Sequence, residues 1–208
     1  MGGTGMRILG KASSINVRKV LWACDELRLR HAREDWGAGF RALDDPGFLA
    51  LNPNAQVPVL VDGDFVLWES NSILRYLANQ YEGAWLYPAA PRERARVDQW
   101  MDWQATDLNS AWRYAFMGLV RRAPAFQDAA QIQASCLAWS RAMGVLEARL
   151  ADTGAYVAGQ AFSLADIVIG LSVQRWRAAG LDRPALPAVD AYCARLAERP
   201  GFTAYAEA

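Results

Sequence analysis

Histidine is nearly absent from this chain. His31 is the only one in 208 residues, which excludes a multi-histidine metal site; no Ser or Cys arrangement stands near it to suggest a triad. Cysteine is scarce too. Cys24, Cys136 and Cys193 lie far apart and form no CxxC, so neither a dithiol redox motif nor a zinc knuckle is supported. They read as buried free thiols in a reducing compartment, and the expected location is cytoplasmic. No apolar run reaches the roughly 18 residues that a membrane span needs. The opening segment, 1–11, lacks the long apolar stretch of a secretory signal. Net charge is also missing: 22 Lys+Arg balance 22 Asp+Glu, which argues against nucleic acid as the main partner, since that requires a basic face.

What the chain does hold is apolar residues, 53% of the total, and nine tryptophans. That suffices for a substantial core in one large or two small domains. The first part mixes strands and helices. Residues 6–10 predict a short strand, and 17–29 a helix with Val20, Leu21, Cys24 and Leu27 at helical spacing. Residues 31–36 predict a charged edge strand. Residues 37–54 are loop-like, with Asp44-Asp45 opening a short helix near 46–51. Residues 5–12 nearly spell a phosphate-binding loop, but Ala12 stands where Ser or Thr must hold the metal.

Pro88 and Pro91 bracket a linker, and helices follow. Val97, Trp100, Met101, Leu108, Trp112, Ala115 and Leu119 form one apolar stripe, closed by Pro124. Ile132, Cys136, Trp139, Met143, Leu146 and Leu150 form a second, stopped at Asp152-Thr153-Gly154. Ser163-Leu164-Ala165-Asp166 reads as a capping box with Asp in place of Glu, stapled by Phe162 and Ile167. The helix it opens is apolar nearly all round and therefore buried, so Asp166 reads as a folding residue. A further helix spans 188–198, and Pro200-Gly201 breaks it.

Residues 52–81, NPNAQVPVLVDGDFVLWESNSILRYLANQY, carry the chemistry. A proline belongs at the first residue of a strand or at an edge, and the Val57-Pro58 bond is a candidate for cis. A cis bond there turns the Val57 N–H and C=O outward, to pair with an extended peptide as an added strand would. Asp62-Gly63 between apolar runs is a hairpin signal. Glu69-Ser70 then opens a helix, whose N-terminus suits a carboxylate, while Glu69 suits an ammonium. Backbone, carboxylate and amine together describe a γ-glutamyl peptide.

In order and motif the chain resembles the cytosolic glutathione S-transferases, of the serine-type, theta-, phi- or bacterial-like kind. The resemblance covers nearly the whole chain. It implies an α/β thioredoxin-like domain over 1–84, a linker over 85–91 and an all-α domain over 92–208 that contributes the electrophile site. It places the glutathione ligands at Gln56, Val57, Pro58, Glu69 and Ser70, with Gln56 at the glycyl end. The catalytic turn falls on 12–20, where no Tyr or Cys is present. Ser13, Ser14 and Asn16 are N-cap residue types there. The resemblance singles out Ser14 as hydrogen-bond donor to the glutathione thiolate, with Ser13 as the neighbouring alternative, and Asn16 as its companion.

The implied function is a glutathione transferase that activates the thiol for attack on a small hydrophobic electrophile, as in detoxification. Glutathione is the co-substrate and no metal is involved. Glutathione-dependent peroxide or disulfide reduction, and a non-catalytic assembly module of the same fold, are the alternatives. A homodimer is expected, without nucleic acid or membrane as partner. Thr106 or Asp107 stands where some relatives complete the partner's site.

Overall fold

The computed structural model describes residues 5–206. The chain forms two compact units, Met1–Pro88 with Gly201–Ala208, and Ala89–Pro200. Their boundary falls inside the expected linker. The first unit runs β1 (Arg7–Leu9), α1 (Ile15–Glu26), β2 (Ala32–Glu34), α2 (Pro46–Leu49), β3 (Val59–Asp62), β4 (Phe65–Trp68) and α3 (Ser70–Gln80). The sheet order is β2-β1-β3-β4. β1 and β2 are parallel and joined through α1, whereas β3 is antiparallel to both β1 and β4. This is the thioredoxin-like arrangement the sequence implies.

Alternation along the strands covers both faces of the sheet. Leu9, Val59 and Val61 pack with Phe48 of α2 on one side. Ile8 and Leu60 are fully buried and pair with each other in register, one pleat further on and therefore on the other face. Gly63 turns the hairpin at φ 64. Asp62 accepts hydrogen bonds from the hydroxyls of Tyr76 and Tyr81, which ties the hairpin to α3. Asp45 caps α2 by accepting from the N–H groups of Gly47 and Phe48.

The second unit contains α4 (Pro91–Trp103), α5 (Asn109–Ala115), α6 (Ala129–Thr153), α7 (Leu164–Ala178) and α8 (Pro187–Ala197). Two widened π turns, Gln104–Leu108 and Phe116–Val120, interrupt the long helix expected before Pro124. They change the stripe. Val97, Trp100, Met101, Leu108 and Ala115 are buried as expected, but Leu119 is 43% exposed and Gly118 is buried instead. A Cβ on Gly118 would lie 2.3 Å from the Phe126 carbonyl. The Ser135 hydroxyl of α6 donates to the Ala111 carbonyl (2.6 Å) and accepts from the Ala115 N–H (3.0 Å). It bridges the pair that an α-helix joins directly, one recognised way to distort a helical ladder. Ser135 thereby takes the buried place in the second stripe, and Cys136 is only half-buried. Cys24 and Cys193 are buried, as expected.

The last helix, α9 (Pro200–Ala206), corrects the sequence reading. Pro200-Gly201 separates α8 from a new helix, which joins the sheet-bearing unit from Gly201 onward and not the helical domain expected over 92–208. Proline suits a first helical position. Gly201 lets the backbone close on α1: a Cβ there would lie 2.2 Å from the Trp22 ring. Phe202 meets that ring at 5.6 Å, and Arg18 Nη1 donates to the Tyr205 carbonyl at 2.7 Å. No helix among the described residues is long and apolar enough to cross a membrane.

Candidate active site

Three stretches of the first unit converge on one cleft, lined by Asn16, Asn52, Asn54, Gln56, Val57, Pro58, Glu69 and Ser70. Its cavity volume is only about 20 Å³, so it is a shallow groove. The Val57-Pro58 bond is cis. Pro58 and Ser70 are buried, whereas Asn16, Gln56 and Glu69 are exposed. Six of the seven residues expected from sequence thus line one cleft. Ser14, the seventh, is half-buried and sits beside it as the N-cap of α1.

The turn before α1 is built by its neighbours. Ser14 N–H donates to the Lys11 carbonyl (3.1 Å), and Lys11 N–H to that of Trp36 (3.2 Å). Gly10 adopts φ 147, and a Cβ there would fall 2.5 Å from Val17 Cγ2 and 2.9 Å from Val57 Cβ. Only glycine lets β1 pass this closely between the start of α1 and the loop before β3. The Ser14 side chain makes no cap hydrogen bond, so its hydroxyl is not spent on the first turn. Glu69 behaves likewise at α3: it is the N-cap, with no side-chain cap bond, at φ 73 and ψ 110. A positive φ is uncommon for a residue with a Cβ, and such strain clusters at ligand clamps.

Asn52 and Asn54 are the part of the site that sequence reasoning missed. Asn52 Oδ1 accepts from the Asn54 N–H at 3.0 Å, which is an Asx turn. The Asn-Pro-Asn spelling carries that signal, because asparagine bonds its own backbone two residues on. Thr106 and Asp107 are both exposed in the first π turn, where the Thr106 hydroxyl lies 2.9 Å from Asp107 Oδ2. The chain's own thiols are poor nucleophiles. Burial pushes Cys24 up to about 12 and raises Cys136 and Cys193, whereas a reactive cysteine needs a lowered value.

A thioredoxin-like sheet unit that frames a cleft with two helix starts lacking side-chain caps, in a chain that also carries a helical unit, defines the class: a thioredoxin-like domain joined to an all-helical one. The particular family follows from comparison with known proteins. Residues 13–80 match the family model of the glutathione S-transferase N-terminal domain, and 129–195 that of the glutathione S-transferase C-terminal domain. Glutathione S-transferase GstB of Escherichia coli is 39% identical over 193 residues, spanning 92% of either chain. Glutathione S-transferase 3 of Zea mays is 35% identical, over 95% of this chain and 91% of its own. Among solved structures, the theta class glutathione S-transferase of Xanthomonas axonopodis pv. citri with glutathione bound superposes at a TM-score of 0.91, with 40% identity and 98% of each chain covered. The chain belongs to the glutathione S-transferase family.

Proposed function

We propose that the cleft binds glutathione and that the protein is a glutathione transferase using Ser14 as hydrogen-bond donor to the thiolate. The observation that carries this is the convergence of Asn16, Gln56, Val57, Pro58, Glu69 and Ser70 on one cleft. The γ-glutamyl carboxylate lies at the α3 N-terminus with Ser70, where free N–H groups and a partial positive charge favour an anion. Its ammonium meets Glu69. The cysteinyl backbone pairs with Val57 as an added strand, and the glycyl end reaches Gln56. The thiol then lies at the α1 N-terminus. Ser14 Oγ–H donates to sulfur, with Asn16 as second donor, and the helix end lowers the thiol pKa further.

The thiolate sulfur attacks an electrophilic carbon. A C–S bond forms while the leaving group departs with its electron pair or, in an addition, the adjacent carbon takes a proton from water. The second substrate is a small hydrophobic electrophile held by the helical unit, and the working form is a cytoplasmic homodimer. Peroxide or disulfide reduction draws on the same thiolate. The intact lining of the cleft disfavours a purely structural module, which needs no exposed Glu69 at a strained helix start.

The test is titration with reduced glutathione, followed by turnover of Ser14→Ala. Binding should stay within about threefold, while turnover falls roughly 10²- to 10³-fold, as for loss of one preorganised donor. Full turnover in Ser14→Ala would remove Ser14 from the mechanism.

A further inference from the structure

Asn52 is only 2% exposed, and its own loop engages both acceptor places of its side chain and one of its two donors. Nδ2 donates to the Gln56 carbonyl at 2.8 Å, and Oδ1 accepts from both the N–H and the Nδ2 of Asn54 at 3.0 Å. Its backbone is tied as well. The N–H donates to the Phe48 carbonyl (2.9 Å), and the C=O accepts from Ala55 (3.1 Å), which is held at φ 52. A buried amide with this many partners fixes its surroundings. The turn over 52–56 is therefore a preorganised platform, and Asn52 is its hub.

What this platform offers a ligand is uniformly neutral. Asn54 and Gln56 are exposed amides, and Asn16 of α1 lines the same cleft. Glu69 is the only charged residue in the lining. Cations close by in sequence are committed elsewhere. Lys11 Nζ donates to the Ala38 carbonyl (3.2 Å), Arg41 pairs with Glu34 and stacks on Trp36, and Arg18 holds the Tyr205 carbonyl.

We propose that the Asn52-centred turn reads the C-terminal residue of the thiol peptide through neutral amides and not through a cation, so that the site accepts thiol peptides whose C-terminal carboxylate is masked as an ester or amide. This rests on the glutathione reading above, with the γ-glutamyl end at Glu69 and Ser70. An ester keeps the carbonyl acceptor that an amide N–H needs and loses the charge; a bond from a neutral amide to the free carboxylate is charge-assisted on the acceptor side alone, so masking weakens the contact without abolishing it, whereas a cation would lose its ion pair altogether. Asn52 is the positioning residue, acting through Asn54 and Gln56.

The experiment is calorimetric titration of the whole protein with glutathione, its glycyl ethyl ester, and γ-glutamylcysteine, which lacks the glycine. Native protein should bind the ester no more than about tenfold more weakly than glutathione, the loss of acceptor-side charge assistance alone. Gln56→Lys, which adds a cation at an exposed position, should tighten glutathione about tenfold and leave the ester unchanged. Asn52→Ala should weaken glutathione and the ester together by about tenfold while sparing γ-glutamylcysteine. An ester bound much more than about tenfold more weakly than glutathione by native protein would overturn the proposal, because the loss would then exceed what neutral amides can account for and a cation would be reading that end. Equal weakening of all three ligands by Asn52→Ala would overturn the role of Asn52, assigning it to the fold. Binding of none of the three by native protein would bring down the glutathione reading itself, and this inference with it.

Discussion

Two helix starts in this protein use the same pair of residue types and do opposite things with them. At α7, Ser163 and Asp166 form a closed capping box. Asp166 is fully buried and accepts from the N–H groups of Val157 (2.9 Å) and Ser163 (2.8 Å), and from the hydroxyls of Ser163 (3.1 Å) and Tyr192 (3.0 Å). At α3, Glu69 is exposed, held at a positive φ, and caps nothing. A carboxylate whose bonds are all made inside the chain holds the fold together. One left unspent at a strained helix start is available to a ligand. The state of the bonds, and not the residue type, separates the two roles.

The comparison can be broken most severely at α7. Asp166→Ala leaves four donors facing a void and should cost about 3–4 kcal/mol, at about 1 kcal/mol per lost bond, read as a lower urea midpoint. Glutathione affinity of the folded fraction should not change. Glu69→Ala should reverse the pattern: about 1.5–3 kcal/mol of glutathione binding is lost, as for a hydrogen bond to a charged group, and the urea midpoint stays put. A shift of the midpoint comparable to that of Asp166→Ala would end the distinction.

Acid sharpens it further. Burial raises the Asp166 carboxyl to about 6, against the hydrogen bonds that favour its ion. The folded protein therefore binds this proton more tightly than the unfolded chain, where the value is near 4. The group's contribution to stability is complete below pH ~4 and is lost as pH rises through about 6. Urea stability of the native protein relative to Asp166→Asn should fall across that window; a flat difference would mean that the hydrogen bonds outweigh burial. The smallest effect is expected from Glu69→Gly. It removes the φ 73 strain and should gain about 1 kcal/mol in stability while weakening glutathione binding.

Legibility in the sequence followed the range of the interactions. The hairpin, the Glu69-Ser70 start and the Ser163–Asp166 box are written in neighbouring residues, and each appears where local chemistry puts it. In the cleft, Val57, Pro58, Glu69 and Ser70 were legible through the same local signals, whereas Gln56 and Asn16 entered only through the family resemblance. The π turns were not legible; beside the second of them, the Ser135 hydroxyl that enters the α5 ladder at Ala115 comes from 20 residues away. Leu119 and Cys136 were misplaced for that reason: their spacing presumes unbroken α-helices packed without such a bridge. Asn52 left its trace only in the Asn-Pro-Asn spelling of its Asx turn, because its other bonds, to the Gln56 carbonyl and the Asn54 amide, follow from the loop's fold and not from composition or periodicity.

The return of α9 to α1 bears on how the protein comes into being. α1 carries Ser14 at its start, and its Trp22 face is closed by Gly201 and Phe202. The hydroxyl of Tyr205 reaches Asp25 on the same helix at 2.8 Å. The sheet unit is thus split in sequence, with the whole helical unit threaded between its two parts. A nascent chain can make every strand of the sheet and still lack the brace behind α1 until the helical unit has been synthesised. Closure of the Trp22 face of α1 thereby waits for residues that follow the helical unit, and a chain stopped before residue 201 displays a bare tryptophan in place of a finished helix face.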